Sequence, residues 1–485
     1  MRFKVILNTA GIVLRFVSIL FLVPIIFALC YKEYSAILPF VTAGIITFVL
    51  GHLFGLNDAS EKDIDNITRT EAFGMVMTTW GMFGLVCMIP YLFFGLSPIN
   101  AMFEAFSGVS TTGATILVDF SLYPKTFFLY RALTQWFGGM GIIVLFVAVL
   151  PKFSIAGRQM FFAESPNPTE EKITPRVRHT ASWLWSIYVL LTIIQICCLR
   201  YFGLDLYDSI CASLTTVSAG GFSNISTSFI GFDPKIVTVI GFFAFFAGIN
   251  LLLAYKVLIK GKILELFKSE EFKTYFFIVL IFTLAIASIL IFQVKMPTVD
   301  AFRNAFFETA ATITSTGACS YDYSTWPLRA KVLLFALMFI GGSAISASGS
   351  IKISRWIYIV KFIKRELDKI VHPNAIIPIK LEKRIVAPDI GYQIIIFVMF
   401  FLGIFAVSAV LIAFIEQNVV IALTGSIATL SNTGPAFDSV IGPLGSYESL
   451  KASTKLILIF NMYAGRLEII PLLALLHKDL WQVRK

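Results

Sequence analysis

The chain has 485 residues, 57% of them hydrophobic and only 14% charged, with a mean hydropathy of +0.83, which is far more apolar sequence than a soluble core requires. Most of it must lie in lipid, so a water-soluble enzyme or binding module is excluded. The net charge of +10 does not indicate nucleic acid, because the basic residues fall between apolar spans and form no stripe with aromatics that could follow a phosphate backbone.

Apolar runs of about 20 residues mark spanning helices, and they predict spans near 10–29, 36–55, 72–95, 126–150, 181–203, 235–258, 274–294, 328–360, 390–415 and 452–476. The first follows basic residues as a secretory signal would, but Arg15 interrupts it and no small-residue cleavage site follows, so it is expected to be retained. The expected fold is an all-α polytopic membrane protein with ten transmembrane helices. Two accessory helices occupy 1–70, and four units follow over 71–155, 175–262, 272–365 and 388–485. Each unit reads as helix, short half-polar pore helix, turn, helix.

The turns are STTGAT at Ser110–Thr115, SAGGF at Ser218–Phe222, STGA at Ser315–Ala318 and NTGP at Asn432–Pro435. Aligned over the twelve residues before each glycine, the four segments end on Gly113, Gly220, Gly317 and Gly434, a self-similarity with a period of about one hundred residues. Irregular backbone inside a membrane is tolerated only where it is buried in protein or lines a wet cavity. A monovalent cation leaving water needs a cage of oxygens, and carbonyls with hydroxyls supply one without a fixed charge to trap the ion. The residues that precede the glycines offer such oxygens, namely Thr111 and Thr112, Ser218 and Ala219, Ser315 and Thr316, Asn432 and Thr433. No carboxylate sits in the turns, which argues against a calcium-type ring. Phe103 and Glu104, with Phe307 and Glu308, repeat ahead of two turns and are expected to pack or anchor their pore helices.

If the N-terminus is cytoplasmic, the inner segments hold most of the 39 Lys and Arg residues, as retention of positive flanks requires. Both termini are then inside, all four turns face outward, and the repeats share one sense. Same-sense repeats bring equivalent loops to one axis, whereas an alternating-access transporter favours inverted repeats around a midplane site.

The second helix of the third unit is interrupted by GGSAISASGS, Gly341–Ser350, a run of small residues ill suited to facing lipid and expected to line a cavity. Arg466 lies inside the last span, where an unpaired charge costs roughly 2.5–3.5 kcal/mol. Either Glu468 or a pore-helix acid neutralises it, or it stands beside the pore as a positive charge. Six cysteines without a CxxC indicate neither zinc nor a disulfide framework. No GxxxxGK[ST] run is present, so the chain has no P-loop with which to use ATP.

With YRALTQWFGGMGIIVL at Tyr130–Leu145 and AGRLEIIPLLALL at Ala464–Leu476, the four turns and the two leading helices resemble the Trk, Ktr and HKT superfamily of potassium transporters, nearest to its TrkH branch. That resemblance implies that Gly113, Gly220, Gly317 and Gly434, with the residues before them, form a potassium selectivity filter. Gly113 further implies potassium rather than sodium, because related plant transporters that carry sodium have serine there. It also implies that Gly341, Gly342, Ser343, Ser346, Ser348, Gly349 and Ser350 belong to an intramembrane gate, with Ile345, Ser348 and Ser350 standing where glycine is usual. A bacterial inner-membrane homodimer with a cytosolic, TrkA-like nucleotide-binding regulatory subunit is implied as well. Potassium is the cargo, no covalent or organic cofactor is expected, and the chain is not expected to be an enzyme. The alternatives are a sodium- and potassium-permeable relative or an alternating-access secondary transporter; whether flux is coupled to protons or sodium stays open.

Overall fold

A computed structural model describes residues 2–56, 68–141, 177–382, 384–467 and 469. Among these residues, six helices are long and apolar enough to cross a membrane, or seven if one sharply bent pair is counted as a span. Helix α1 (Phe3–Cys30) and helix α2 (Ile37–Gly55) pack through glycines. A Cβ at Gly11 would come within 2.6 Å of the Gly55 nitrogen and 2.8 Å of the Gly51 oxygen, so small residues let the two backbones touch. Helix α3 (Arg69–Phe93) starts at a capping box in which Thr68 and Glu71 satisfy each other's backbone, and the same Glu71 carboxylate pairs with Arg2 at 2.9 Å.

Four short helices of 12 to 16 residues each run directly into one of the glycine turns, namely α4 (Pro98–Val109), α7 (Leu206–Val217), α11 (Thr298–Ile313) and α15 (Val419–Leu430). Their starts follow from the sequence: Ser97, Asp205 and Asn418 are N-caps that accept from backbone N–H groups of the first turn, and Pro98 pre-sets the first turn of α4. All four are buried over most of their length. The longer α6 (Val177–Tyr201), α10 (Glu270–Phe292) and α14 (Pro388–Glu416) lie outside them. Large apolar side chains such as Phe277, Ile281, Met399, Val407 and Phe414 are exposed on α10 and α14, as lipid-facing positions should be.

Two predicted spans differ from the structure. The span near 235–258 is two helices, α8 (Pro234–Ala247) and α9 (Leu251–Leu258), bent by 112°. Asn250 caps α9 by accepting from Leu252 N at 2.9 Å. A side chain at Gly248 would collide with Thr314 and Tyr275. The GIN sequence thus ends one helix and starts another where an unbroken apolar run had suggested continuity. The span near 328–360 stops at Leu337 in α12 (Leu328–Leu337) and resumes in α13 (Ile353–Val371), with the glycine- and serine-rich segment between them. Helix α5 (Lys125–Gly139) and helix α16 (Ala452–Arg466) follow the first and fourth turns; the predicted continuations to 150 and 476, with Glu468, lie outside the described residues.

Candidate functional site

The four short helices end alike. Their C-caps are Ser110, Ser218, Thr314 and Ser431, and the next residue in each case has left-handed backbone: Thr111 at φ 57°, Ala219 at 55°, Ser315 at 56° and Asn432 at 56°. Non-glycine residues seldom adopt this conformation, least of all a β-branched threonine, so its fourfold recurrence is a built feature. The N–H two residues past each cap turns back to the carbonyl five residues earlier: Thr112 to Ser107, Gly220 to Thr215, Thr316 to Ala311 and Thr433 to Ala428. The third residue past each cap is a glycine at positive φ, namely Gly113, Gly221, Gly317 and Gly434.

This pattern corrects the second repeat by one residue. Ser218 corresponds to the cap residues, Ala219 to Thr111, Gly220 to Thr112, and Gly221 rather than Gly220 to the other glycines. SAGGF contains two adjacent glycines, so matching letters could not settle the register; only the backbone distinguishes a glycine needed for its φ from one needed for space.

The turns close a ring. A Cβ at Gly113 would overlap the Gly220 carbonyl oxygen, one at Gly221 the Thr316 oxygen, one at Gly317 the Thr433 oxygen and one at Gly434 the Thr112 oxygen. Each turn therefore presses a bare Cα against the carbonyl of the next turn in sequence, and the fourth returns to the first. Three threonines below the glycines are tied to their cap hydroxyls: Ser110 to Thr112 at 2.7 Å, Thr314 to Thr316 at 2.8 Å and Ser431 to Thr433 at 2.8 Å. Asn432 joins fourth turn to first by donating to Thr112 Oγ1 at 2.9 Å. On one side of the ring opens a cavity of about 200 Å³ bordered by Gly113, Gly221, Gly317, Pro435, Arg131 and Tyr447.

The two acids ahead of the turns hold the chain that leaves them. Glu104 accepts from Ile116 N at 3.0 Å, and Glu308 accepts from Ser320 N at 2.7 Å, the same spacing in both repeats. Glu104 also pairs with Arg131 of α5, both side chains being essentially inaccessible to solvent. Arg131 in turn donates to Ser223 O at 3.0 Å, joining first and second turns. Residue-type reasoning missed Arg131 and Gln135, although both stand in the Tyr130–Leu145 motif; nothing in their spacing says that α5 turns them towards a neighbouring repeat.

The other side of the ring is covered by the segment between α12 and α13. Ala347 packs with Ala219 beneath the second turn, and Gly349 N donates to Ser315 Oγ at 2.6 Å beneath the third. A Cβ at Gly349 would overlap the Ser431 carbonyl beneath the fourth. Arg466 completes the set: its guanidinium donates to Thr111 Oγ1 at 3.3 Å, to Ala347 O at 3.1 Å and to the Gly138 and Gly139 carbonyls at the end of α5. Neither pore-helix acid is its partner in these contacts, since Glu104 is engaged by Arg131 and Glu308 by Ser320 and Tyr321.

The segment is held internally as well. Gly341 N donates to Ile351 O, Gly342 N to Ser348 Oγ and Ser346 Oγ to Ser343 O, while Ser350 Oγ donates to Met338 O at 2.7 Å. The Lys352 ammonium reaches back to the Ser346 and Ser348 carbonyls. Ile345 and Ser350 sit at φ 55° and 60°, left-handed positions that favour glycine, whereas Ser348 serves through its hydroxyl. The bend between α8 and α9 is tied to the same place: Ser343 N donates to Gly248 O and Leu251 N to Ile345 O.

Irregular polar backbone ringed within long apolar helices defines a multi-pass membrane protein. The model of the TrkH family, described as cation transport protein, matches residues 37–482, and the chain belongs to that family. It is 34% identical over 491 residues to the Trk system potassium uptake protein TrkH of Escherichia coli K12, at 99% of this chain and 100% of that one. TrkG of the same organism is 30% identical over 491 residues, at 99% of each chain. The crystal structure of the potassium transporter TrkH from Vibrio parahaemolyticus aligns with a TM-score of 0.89 at 30% identity, over 99% of this chain and 100% of that one.

Proposed function

We propose that the chain is the membrane subunit of a potassium-uptake system, with ten spanning helices arranged as four same-sense repeats around one pore. The single observation that carries this reading is the closed ring in which Gly113, Gly221, Gly317 and Gly434 each abut the carbonyl of the next turn. Residues Thr111–Gly113, Ala219–Gly221, Ser315–Gly317 and Asn432–Gly434 form the selectivity filter, replacing the hydration shell of potassium with their oxygens.

The positive-inside count supports a reading with both termini in the cytoplasm and the cavity above the ring outside. Potassium then enters from the cavity, sheds water at the ring and meets the 341–350 segment, which acts as the gate. Arg466 puts a positive charge beneath the filter while the gate is closed and ties that gate to the first turn. A membrane potential supplies about 2.3 kcal/mol per charge per 100 mV, enough to drive cation entry without a coupled ion. The relatives carry the names of Trk system proteins, which supports a multisubunit assembly: a homodimer of this chain with a cytosolic, nucleotide-binding TrkA-like subunit that moves the gate.

Potassium flux into liposomes holding the purified protein, with and without the regulatory subunit, tests the proposal. Potassium entry that exceeds sodium entry is expected. Absence of flux in both conditions would sink the pore reading, and equal flux of the two ions would leave the pore but remove the selectivity.

A further inference from the structure

The ring is fourfold in its backbone but threefold in its hydroxyls. Thr112, Thr316 and Thr433 each carry a hydroxyl tied to the cap two residues earlier, and the equivalent residue of the second repeat is Gly220. Its backbone does not require glycine, because Gly220 is not among the residues at positive φ. What excludes a side chain there is Gln135. A Cβ at Gly220 would stand 2.5 Å from both Cδ and Oε1 of that residue. Gln135 comes from α5 of the first repeat, is fully buried, and uses both ends of its amide on the second turn. Its Nε2 donates to Gly220 O at 2.7 Å, and its Oε1 accepts from Phe222 N at 3.0 Å.

We propose that Gln135 is a specificity-determining positioning residue of the filter, filling the place of the missing fourth threonine and fixing the direction of the Gly220 carbonyl. This rests on reading the ring as a selectivity filter. The chemistry favours an amide because one rigid planar group can donate to the carbonyl and accept from the N–H two residues on, clamping the turn from both sides. A hydroxyl tied to the Ser218 cap would hold the turn from one side, as in the other three repeats. The Gly220 oxygen keeps a second lone pair for an ion, and Gln135 decides where that lone pair points.

The test uses the full-length protein in liposomes, with potassium and sodium as the probes and the ratio of their fluxes as the readout. Gln135→Leu keeps the volume and removes both hydrogen bonds, so the potassium-to-sodium ratio should fall by about tenfold, the scale of a buried polar group left unpaired. Gln135→Ala should lose selectivity as well. Adding Gly220→Thr to it restores a hydroxyl two residues past Ser218 and should recover most of the ratio, whereas Gly220→Thr alone collides with Gln135. The double variant also separates positioning from folding, since it is expected to recover what the single variant lost. Proportional loss of both fluxes, or an unchanged ratio in Gln135→Leu and Gln135→Ala, would overturn the proposal while leaving the pore intact. Wild-type vesicles that pass no potassium would overturn the pore reading and this proposal with it.

Discussion

Gly220 and Gly221 are adjacent, yet one is glycine for room and the other for its backbone, and a single methyl group separates the two causes. At Gly221 a Cβ meets left-handed φ, which costs roughly 1–2 kcal/mol, and overlaps a backbone oxygen that cannot move without opening the ring. At Gly220 it meets a side chain. Gly221→Ala is therefore expected to reduce potassium selectivity far more than Gly220→Ala, measured as flux ratios in liposomes; the reverse order would return the register to Gly220. Glu104 and Arg131 provide a second residue-scale test. Glu104→Gln leaves the buried Arg131 charge without its partner, at a cost of about 3–5 kcal/mol. Its thermal unfolding in detergent should shift down strongly, and Glu104→Met combined with Arg131→Met should recover part of the loss. Thr111, Ala219, Ser315 and Asn432 show what could not be read: nothing in four dissimilar side chains says that all of them adopt left-handed backbone.

The segment between α12 and α13 is the element on which flux should depend. Its break was visible because consecutive glycines and serines make a poor lipid-facing helix, but its position was not. That position is fixed by four separate attachments to the ring, through Ala219, Ser315, Ser431 and Arg466. Lys352 holds the carbonyls of Ser346 and Ser348, and hydrogen bonds from a charged group are worth about 1.5–3 kcal/mol. Lys352→Met should favour the released segment and raise potassium flux in the absence of the regulatory subunit by about tenfold; unchanged basal flux would show that Lys352 only braces the fold. Arg466→Ala removes the guanidinium from Ala347, Thr111 and the end of α5 together, so it is expected to raise basal flux and weaken regulation at once. The bend at Gly248–Asn250 belongs to the same element: two hydrogen bonds join it to 343–345, so α9 is placed to follow the segment when it moves.

At the scale of the whole molecule, topology is open to direct measurement. With exposed Cys30 and Cys197 replaced by serine, a cysteine at Ser121 should react with an impermeant maleimide only from outside. A cysteine at Asn374 should react only from inside; labelling of both from one face would contradict the four outward turns. The apolar spans, the short half-polar helices and the glycine turns were legible because each follows from local chemistry: hydropathy, caps, and the need for oxygen where backbone is not helical. That signal is one-dimensional. It therefore determined a multi-pass helical protein with four recurring turns, and it located the broken stretch at 341–350. The tertiary structure alone decided that the four turns touch in sequence, that Gly221 stands where Gly220 was expected, that α8 and α9 part at Gly248, and that Gln135, Arg131 and Arg466 each reach out of their own unit. Those outcomes depend on which side chain occupies which space between elements far apart in sequence, and close packing between repeats settles that only once the ring has closed.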